Sequence, residues 1–188
     1  MKNMKQYLIM SGITVFVILV GLLIWGQGRA NNDDFLVRNN LDGKSLSQIV
    51  DTLENRLNDP AGFTAGINGE RLVMTDTKGS HEILLPNNQF YLSIAPYINQ
   101  THPCGIHNLV TCRGELKNQT FLVVVTNTQT NEVILNQNVK TANNGFMGIW
   151  LPRGLDVTVT VSQGSLTAST QVGTYSDSDT CLTTLKLT

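Results

Sequence analysis

The first thirty residues carry a long apolar pattern. Lys2 and Lys5 precede an apolar run that reaches Trp25, and no charge lies between Lys5 and Arg29. Such a run is long enough to cross a bilayer as one helix, and basic residues before it predict export of the remainder. Small residues flank Arg29, as a signal peptidase requires. We therefore predict a membrane anchor or a cleaved signal peptide over residues 1–30.

The next pattern has helical spacing. Residues 31–43 are polar and acidic, which indicates a tether. Over residues 44–58 the apolar positions then recur on one stripe, as in an amphipathic helix: Leu46, Ile49, Val50, Leu53 and Leu57. Ser45 can cap the start of this helix, and Asp59-Pro60 is a stop signal.

Beyond the helix the apolar positions alternate, which predicts strands. Residues 62–67 and 71–75 flank Asn68-Gly69, which is a strong hairpin signal. Residues 81–85 and 89–94 flank a Pro-Asn-Asn turn and predict a second hairpin. With the helix, these strands predict a small α+β domain over residues 44–98.

The remainder, residues 99–188, is almost entirely strand-like after a loop rich in cysteine and histidine. Six short strand patterns follow one another with turns between them: 120–126, 132–139, 145–151, 156–162, 166–174 and 181–187. This spacing predicts an antiparallel β-sandwich, of a kind similar to prealbumin-like or immunoglobulin-like domains. The expected fold class is therefore α+β, mostly β, behind an N-terminal membrane helix. A fold of this kind does not by itself imply an activity.

Charge and motifs narrow the function classes. The chain has 13 basic and 14 acidic residues, with a net charge of -1 and no basic cluster. This balance argues against a nucleic-acid partner and against membrane binding other than through the N-terminal helix. The sequence also lacks the serine-hydrolase, zinc-protease and phosphate-loop motifs. We expect no enzymatic activity other than chemistry performed by thiols.

The chemistry is concentrated in one loop and one distant cysteine. His102, Cys104, His107 and Cys112 lie within eleven residues, and Cys181 lies near the C-terminus. An odd number of cysteines leaves at least one thiol without an intramolecular disulfide. Thiolates and imidazoles suit Cu(I) or Zn(II), whereas calcium and magnesium require oxygen ligands. Because the chain has no C-x-x-C knuckle, copper fits better than zinc, and zinc remains an alternative.

The same cysteines could act in redox chemistry. Two thiolates that form a disulfide release two electrons, and each Cu(II) needs one electron to become Cu(I). Positive charge on His102, His107 or Arg113 would favour thiolate over thiol. The alternative is a structural disulfide between Cys104 and Cys112, in a surface β-sandwich module for interaction or adhesion.

Two segments resemble the CueP family of periplasmic copper-binding proteins: residues 102–116, HPCGIHNLVTCRGEL, and residues 180–184, TCLTT. The resemblance implies that Cys104, Cys112 and Cys181 are copper thiols, and we add His107 and His102 as candidate ligands. It also implies roles in copper resistance, in reduction of Cu(II), and as a chaperone that supplies copper to an exported superoxide dismutase. We thus expect an extracytoplasmic copper protein, in the periplasm or at the cell surface. The sequence is also compatible with a homodimer.

Overall fold

The computed structural model describes residues 34–56 and 58–188. The chain divides into two compact units between Gly43 and Lys44. In the first unit residues 34–38 are helical, and the Arg38 guanidinium lies 3.1 Å from the Asp34 carboxylate. The predicted membrane or signal segment lies outside the described residues. Within them, no helix has both the length and the apolar character needed to span a membrane.

Helix α1 comprises Leu46–Glu54 and confirms the helical stripe. Its start is a capping box: the Gln48 amide donates to the Ser45 hydroxyl, and the Ser45 amide donates to the Gln48 side chain. The helix ends earlier than the pattern predicts. Asn55 caps it because the Asn55 amide and side chain both donate to the Asp51 carbonyl. The stop signal at Asp59-Pro60 is therefore not where this helix ends.

The first predicted hairpin is confirmed. Strands β1 (Thr64–Ile67) and β2 (Arg71–Asp76) pair antiparallel, and the Asn68 side chain accepts the amides of Glu70 and Arg71 in the turn. Strand β3 (Gly79–Leu84) pairs with β2. On the other side, β1 pairs with the two-residue strand β5 (His107–Asn108), so the sheet has the order β3-β2-β1-β5. The Cys/His loop is thus attached to this sheet.

The second predicted hairpin is wrong. Strand β4 (Gln89–Ile94) does not pair with β3 but joins another sheet, of order β11-β4-β8, in which β8 is Met147–Pro152 and β11 is Cys181–Leu182. The β4–β8 pair is antiparallel and the β11–β4 pair is parallel. The reason is burial: β4 is buried from Phe90 to Ile94, whereas Leu84 of β3 is 69% exposed. Residues 44–188 form one compact unit, in which β4 and β8 share a sheet across residue 98.

The predicted sandwich is confirmed. A four-stranded antiparallel sheet has the order β10-β9-β6-β7, with β6 Thr120–Asn127, β7 Val133–Lys140, β9 Asp156–Gln163 and β10 Leu166–Gly173. It packs on the β11-β4-β8 sheet through one apolar core, which includes Phe90, Leu92, Phe121, Val123, Ile149 and Val159. The last strand pattern gives only β11 and a single bridge between Tyr97 and Lys186.

The two faces of β4 have different uses. Phe90, Leu92 and Ile94 enter the sandwich core. Tyr91 and Ser93 alternate with them, point to the opposite face, and donate hydrogen bonds to Glu54 of α1. Gly148 of β8 lies opposite Ser93, and a Cβ atom at Gly148 would overlap the Tyr91 hydroxyl. This face of β4 carries the candidate site.

Candidate metal centre

Four of the five predicted ligands come together. The Sγ atoms of Cys104, Cys112 and Cys181 and one ring nitrogen of His107 all lie within 4.8 Å of one another. His107 begins β5 and Cys181 begins β11, so two different sheets deliver them. The Gly105 carbonyl accepts the amides of Thr180 and Cys181 at 2.9 and 3.0 Å, which fastens the loop to β11.

The cysteine pairing differs from the alternative left open by the sequence. Cys104 and Cys181 form a disulfide, with Cα atoms 5.6 Å apart, and Cys112 is a free thiol. A Cys104–Cys112 disulfide is therefore wrong for this structure. The reason is tertiary: the parallel pairing of β11 with β4 brings Cys181 beside the loop. The Cys112 Sγ still lies 3.7 Å from the Cys104 Sγ.

His107 is completely buried between the sulfur atoms and a carboxylate. Its Nδ1 lies 3.6 Å from the Cys181 Sγ, and its Nε2 lies 3.0 Å from the Glu54 Oε1. Burial alone would lower the pKa of His107, but the Cys112 thiolate and Glu54 act against it and leave that pKa above its usual value. The imidazole is thus held by negative groups on both sides.

Glu54 is a site residue that the sequence analysis missed. The residue is 4% exposed; its carboxylate accepts hydrogen bonds from the side chains of Tyr91, Ser93 and Asn144, and its Oε1 lies within hydrogen-bond distance of Nε2 of His107. Burial and the neighbouring Glu54 raise the pKa of Tyr91 well above its ordinary value, so this hydroxyl stays a donor. A signal was present: Glu54 follows Val50 by four residues, which places it on the buried side of the helix.

The surroundings of the free Cys112 thiol favour its thiolate form. Partial burial raises the pKa of Cys112, but the imidazole of His107 and the Asn108 amide, 3.5 Å from the sulfur, outweigh that effect. The net result is a pKa below the ordinary value of a thiol. Because the thiolate is the form that binds metals, this environment favours coordination.

Apolar side chains surround the sulfur atoms. Ala95, Phe146 and Cys181 form a buried cluster, and Cys104 and Cys112 pack against it. The Phe146 ring lies 4.4 Å from the His107 ring, centroid to centroid. An open cavity of about 450 Å³ is lined by Cys104 together with Tyr97 and Thr183. Cys104 thus packs against the apolar cluster and also borders an open cavity.

His102 lies in the same loop but outside the group of four. Its ring contacts the edge of Phe146, with centroids 6.2 Å apart, and it lines the cavity beside Cys104. Hydrogen bonds to Glu115 hold residues 98–100, just before this loop, in place. That carboxylate accepts the amides of Ile98, Asn99 and Gln100, and the Asn99 and Ile98 bonds in particular lower its pKa to about 2.

Once the Cys104–Cys181 disulfide is reduced, three thiol sulfurs and one imidazole nitrogen would form a soft ligand set with no carboxylate among them. Such a set selects Cu(I) or Zn(II) over hard cations. The fold and site thus define a class: a β-sandwich protein in which three cysteines and a histidine meet at the junction of its sheets and could hold a soft metal ion.

Comparison with known proteins gives the family. The family model described as "Periplasmic copper-binding protein CueP" matches residues 48–186, and the chain belongs to this family. A crystal structure of S.CueP is similar, with 39% sequence identity and a TM-score of 0.77, over 83% of this chain and 96% of that one. Comparison with curated protein sequences finds no match. The resemblance seen in residues 102–116 is confirmed, and the periplasmic family supports the expected extracytoplasmic location.

Proposed function

We propose that this protein binds copper through Cys104, Cys112 and Cys181 together with Nδ1 of His107. The observation that carries the proposal is the approach of these four ligand atoms to within 4.8 Å of one another. Reduction of the Cys104–Cys181 disulfide would supply two more thiolates at the position where one is already favoured. The soft ligands favour Cu(I), and zinc is the competitor that the same set could hold.

We further propose that the cysteines reduce Cu(II). In this step the Cys104 and Cys181 thiolates lose one electron each and form the S–S bond. Two Cu(II) ions accept one electron each and become Cu(I); the two thiol protons pass to solvent earlier, when the thiolates form. Cys112 and His107 remain as soft ligands for one product ion. The Cys104–Cys181 disulfide, with a third thiol beside it, supports this scheme, because it is the arrangement that the oxidised protein would have.

The sulfur geometry supports a shared ion more than disulfide exchange. Attack of Cys112 on Cys104 would need the three sulfurs roughly in line. The Cys112 and Cys104 sulfurs are 3.7 Å apart and a disulfide bond adds about 2 Å, so in such a line the Cys112 and Cys181 sulfurs would be more than about 5 Å apart. The Cys112 and Cys181 sulfurs are at most 4.8 Å apart. After reduction of the disulfide, the three sulfurs would be close enough to bind one ion.

Sequestration followed by transfer of Cu(I) to an exported client completes the proposed role. The resemblance implies copper resistance and a superoxide dismutase as the client. The open cavity beside Cys104 supports transfer, because a recipient ligand could reach the cluster from that side. A surface interaction module with only a structural disulfide needs neither the free Cys112 thiol nor the buried His107.

A thiol count during copper addition tests the proposal. Two equivalents of Cu(II) are added without oxygen to fully reduced protein, and Cu(I) is read with a Cu(I)-specific chelator. We expect the three thiols to fall to one and two Cu(I) to appear. Cys181→Ser and Cys104→Ser should both lose the paired oxidation. His107→Ala should be slower than His81→Ala, the control in β3.

Two results would contradict the proposal. Cu(II) bound without loss of thiols would leave a plain metal buffer, and reduced wild-type protein that binds Zn(II) more tightly than Cu(I) would remove copper as the cargo. His102 remains a predicted ligand, and a weaker Cu(I) affinity of His102→Ala would test it separately.

A further inference from the structure

The Glu54 carboxylate is buried and lies within hydrogen-bond distance of four polar side chains. Its nearest partners are the Tyr91 hydroxyl at 2.9 Å, His107 Nε2 at 3.0 Å and the Ser93 hydroxyl at 3.2 Å. The Asn144 side-chain amide is the fourth. These donors come from β4, from β5 and from the turn before β8, and they converge on the last residue of α1.

Core stability alone does not explain why a carboxylate is buried at this position. A buried carboxylate loses its hydration, and a well-packed apolar side chain often stabilises a core as well or better. The surroundings are nevertheless arranged for the carboxylate. The side-chain Oδ1 of Asn144 accepts the Phe146 amide at 2.9 Å, which turns the side-chain Nδ2 of Asn144 toward Glu54. Gly148 leaves the space that the Tyr91 hydroxyl occupies.

The hydrogen bond between His107 and Glu54 has a consequence for the other ring nitrogen. The Glu54 carboxylate already accepts from Tyr91, Ser93 and Asn144. As an acceptor toward His107 as well, at 3.0 Å, it places the ring proton on Nε2. In a neutral imidazole the lone pair is then on Nδ1. That nitrogen lies 3.6 Å from the Cys181 Sγ, on the side of the sulfur cluster.

We propose that Glu54 is the positioning residue of the copper centre, which holds His107 in the Nε2–H tautomer and aims the Nδ1 lone pair at the metal. This inference rests on the proposed function. Carboxylates that accept the second N–H of a ligating histidine fix the ring and make the coordinating nitrogen more basic. Loss of such a partner typically weakens metal affinity about 10- to 100-fold.

The first test needs no variant and no metal. Long-range ¹H–¹⁵N NMR of labelled histidine identifies the tautomer of metal-free wild-type protein, at a pH where the imidazole is neutral. We expect the Nε2–H form of His107. The Nδ1–H form in wild-type protein would overturn the proposal, whatever the variants do.

The second test uses Glu54→Gln, which keeps the shape but can donate as well as accept. We expect a mixture of tautomers or the Nδ1–H form, and Cu(I) affinity about 10- to 100-fold weaker in a chelator competition. Tyr91→Phe removes a different donor from the same carboxylate and should retain the Nε2–H tautomer. Glu132→Gln, on the surface, is the matched control.

The outcomes separate this inference from the proposed function. An unchanged tautomer together with unchanged affinity in Glu54→Gln would overturn the positioning role. A shifted tautomer in Glu54→Gln, with no Cu(I) binding by the wild type, would instead overturn the copper site and leave the positioning of His107 standing. If Tyr91→Phe shifts the His107 tautomer as much as Glu54→Gln does, general loosening of the packing explains the shift, and the specific positioning role of Glu54 is overturned.

Discussion

Reduction of the Cys104–Cys181 disulfide should destabilise the copper-free protein strongly. The bond joins residues 77 apart, so it removes much of the entropy of the unfolded chain. For a loop of this length the chain-entropy relation gives about 4.5 kcal/mol at 25 °C. The cysteines pack against Ala95 and Phe146, and those contacts do not depend on the S–S bond. The full entropic effect should therefore be visible as lost stability.

Urea unfolding, followed by circular dichroism in a metal chelator, measures this effect. With a slope of about 2 kcal/mol per M, a loss of about 4.5 kcal/mol lowers the midpoint by roughly 2 M when the disulfide is reduced. Cu(I) at a free concentration of about 1,000 times Kd should return about 4.1 kcal/mol to the reduced protein. Copper would then replace the covalent link between loop and β11.

Variants make the result specific. The double variant Cys104→Ser/Cys112→Ser leaves Cys181 as its single cysteine and cannot form an intramolecular disulfide, so its midpoint should not respond to reductant. Cys112→Ser retains Cys104 and Cys181 and should show the full shift. Superimposed curves for oxidised and reduced wild-type protein would refute the reasoning, and so would a shift of the same size in the double variant.

Three further predictions concern the surroundings of the site. The Cys112 thiol should be alkylated with a pH midpoint below the ordinary value of about 8.5, because its pKa is lowered in the fold. Gly148→Ala should lower stability by about 1–3 kcal/mol in urea unfolding, because the added Cβ displaces the Tyr91 ring. Glu115→Gln should lower the midpoint of urea unfolding at pH 7 but not near pH 2. The pKa of Glu115 is lower in the folded than in the unfolded protein, so the ionised carboxylate stabilises the fold at pH values above its unfolded pKa. This stabilisation is lost as the pH falls toward about 2.

Each of these predictions has a matched control. The His107→Ala variant should raise the alkylation midpoint of Cys112, and an unchanged midpoint would show that the imidazole does not favour the thiolate. Gly66→Ala, where a Cβ meets nothing within 4 Å, should be nearly neutral, and an equal loss there would contradict the Tyr91 argument. If the difference between Glu115→Gln and wild type persists near pH 2, the carboxylate is not its source.

Local patterns predicted much of the fold. Ser45 and Gln48 form the capping box, and Asn68-Gly69 forms the hairpin turn, because such signals act within a few residues. The alternating runs after residue 119 gave the sandwich strands, since one face of each must be buried. The exception was the turn between β3 and β4, which reverses the chain without deciding which strand β4 will join.

The sequence by itself also indicated the kind of chemistry, because cysteine and histidine side chains together favour soft metal ions. Only the tertiary structure decided the arrangement. Pairing of Cys104 with Cys181 depends on β11 beside β4, and Glu54 reaches His107 across 53 residues. Such contacts arise when several sheets and a helix bury their faces together, and no spacing along the chain encodes that geometry.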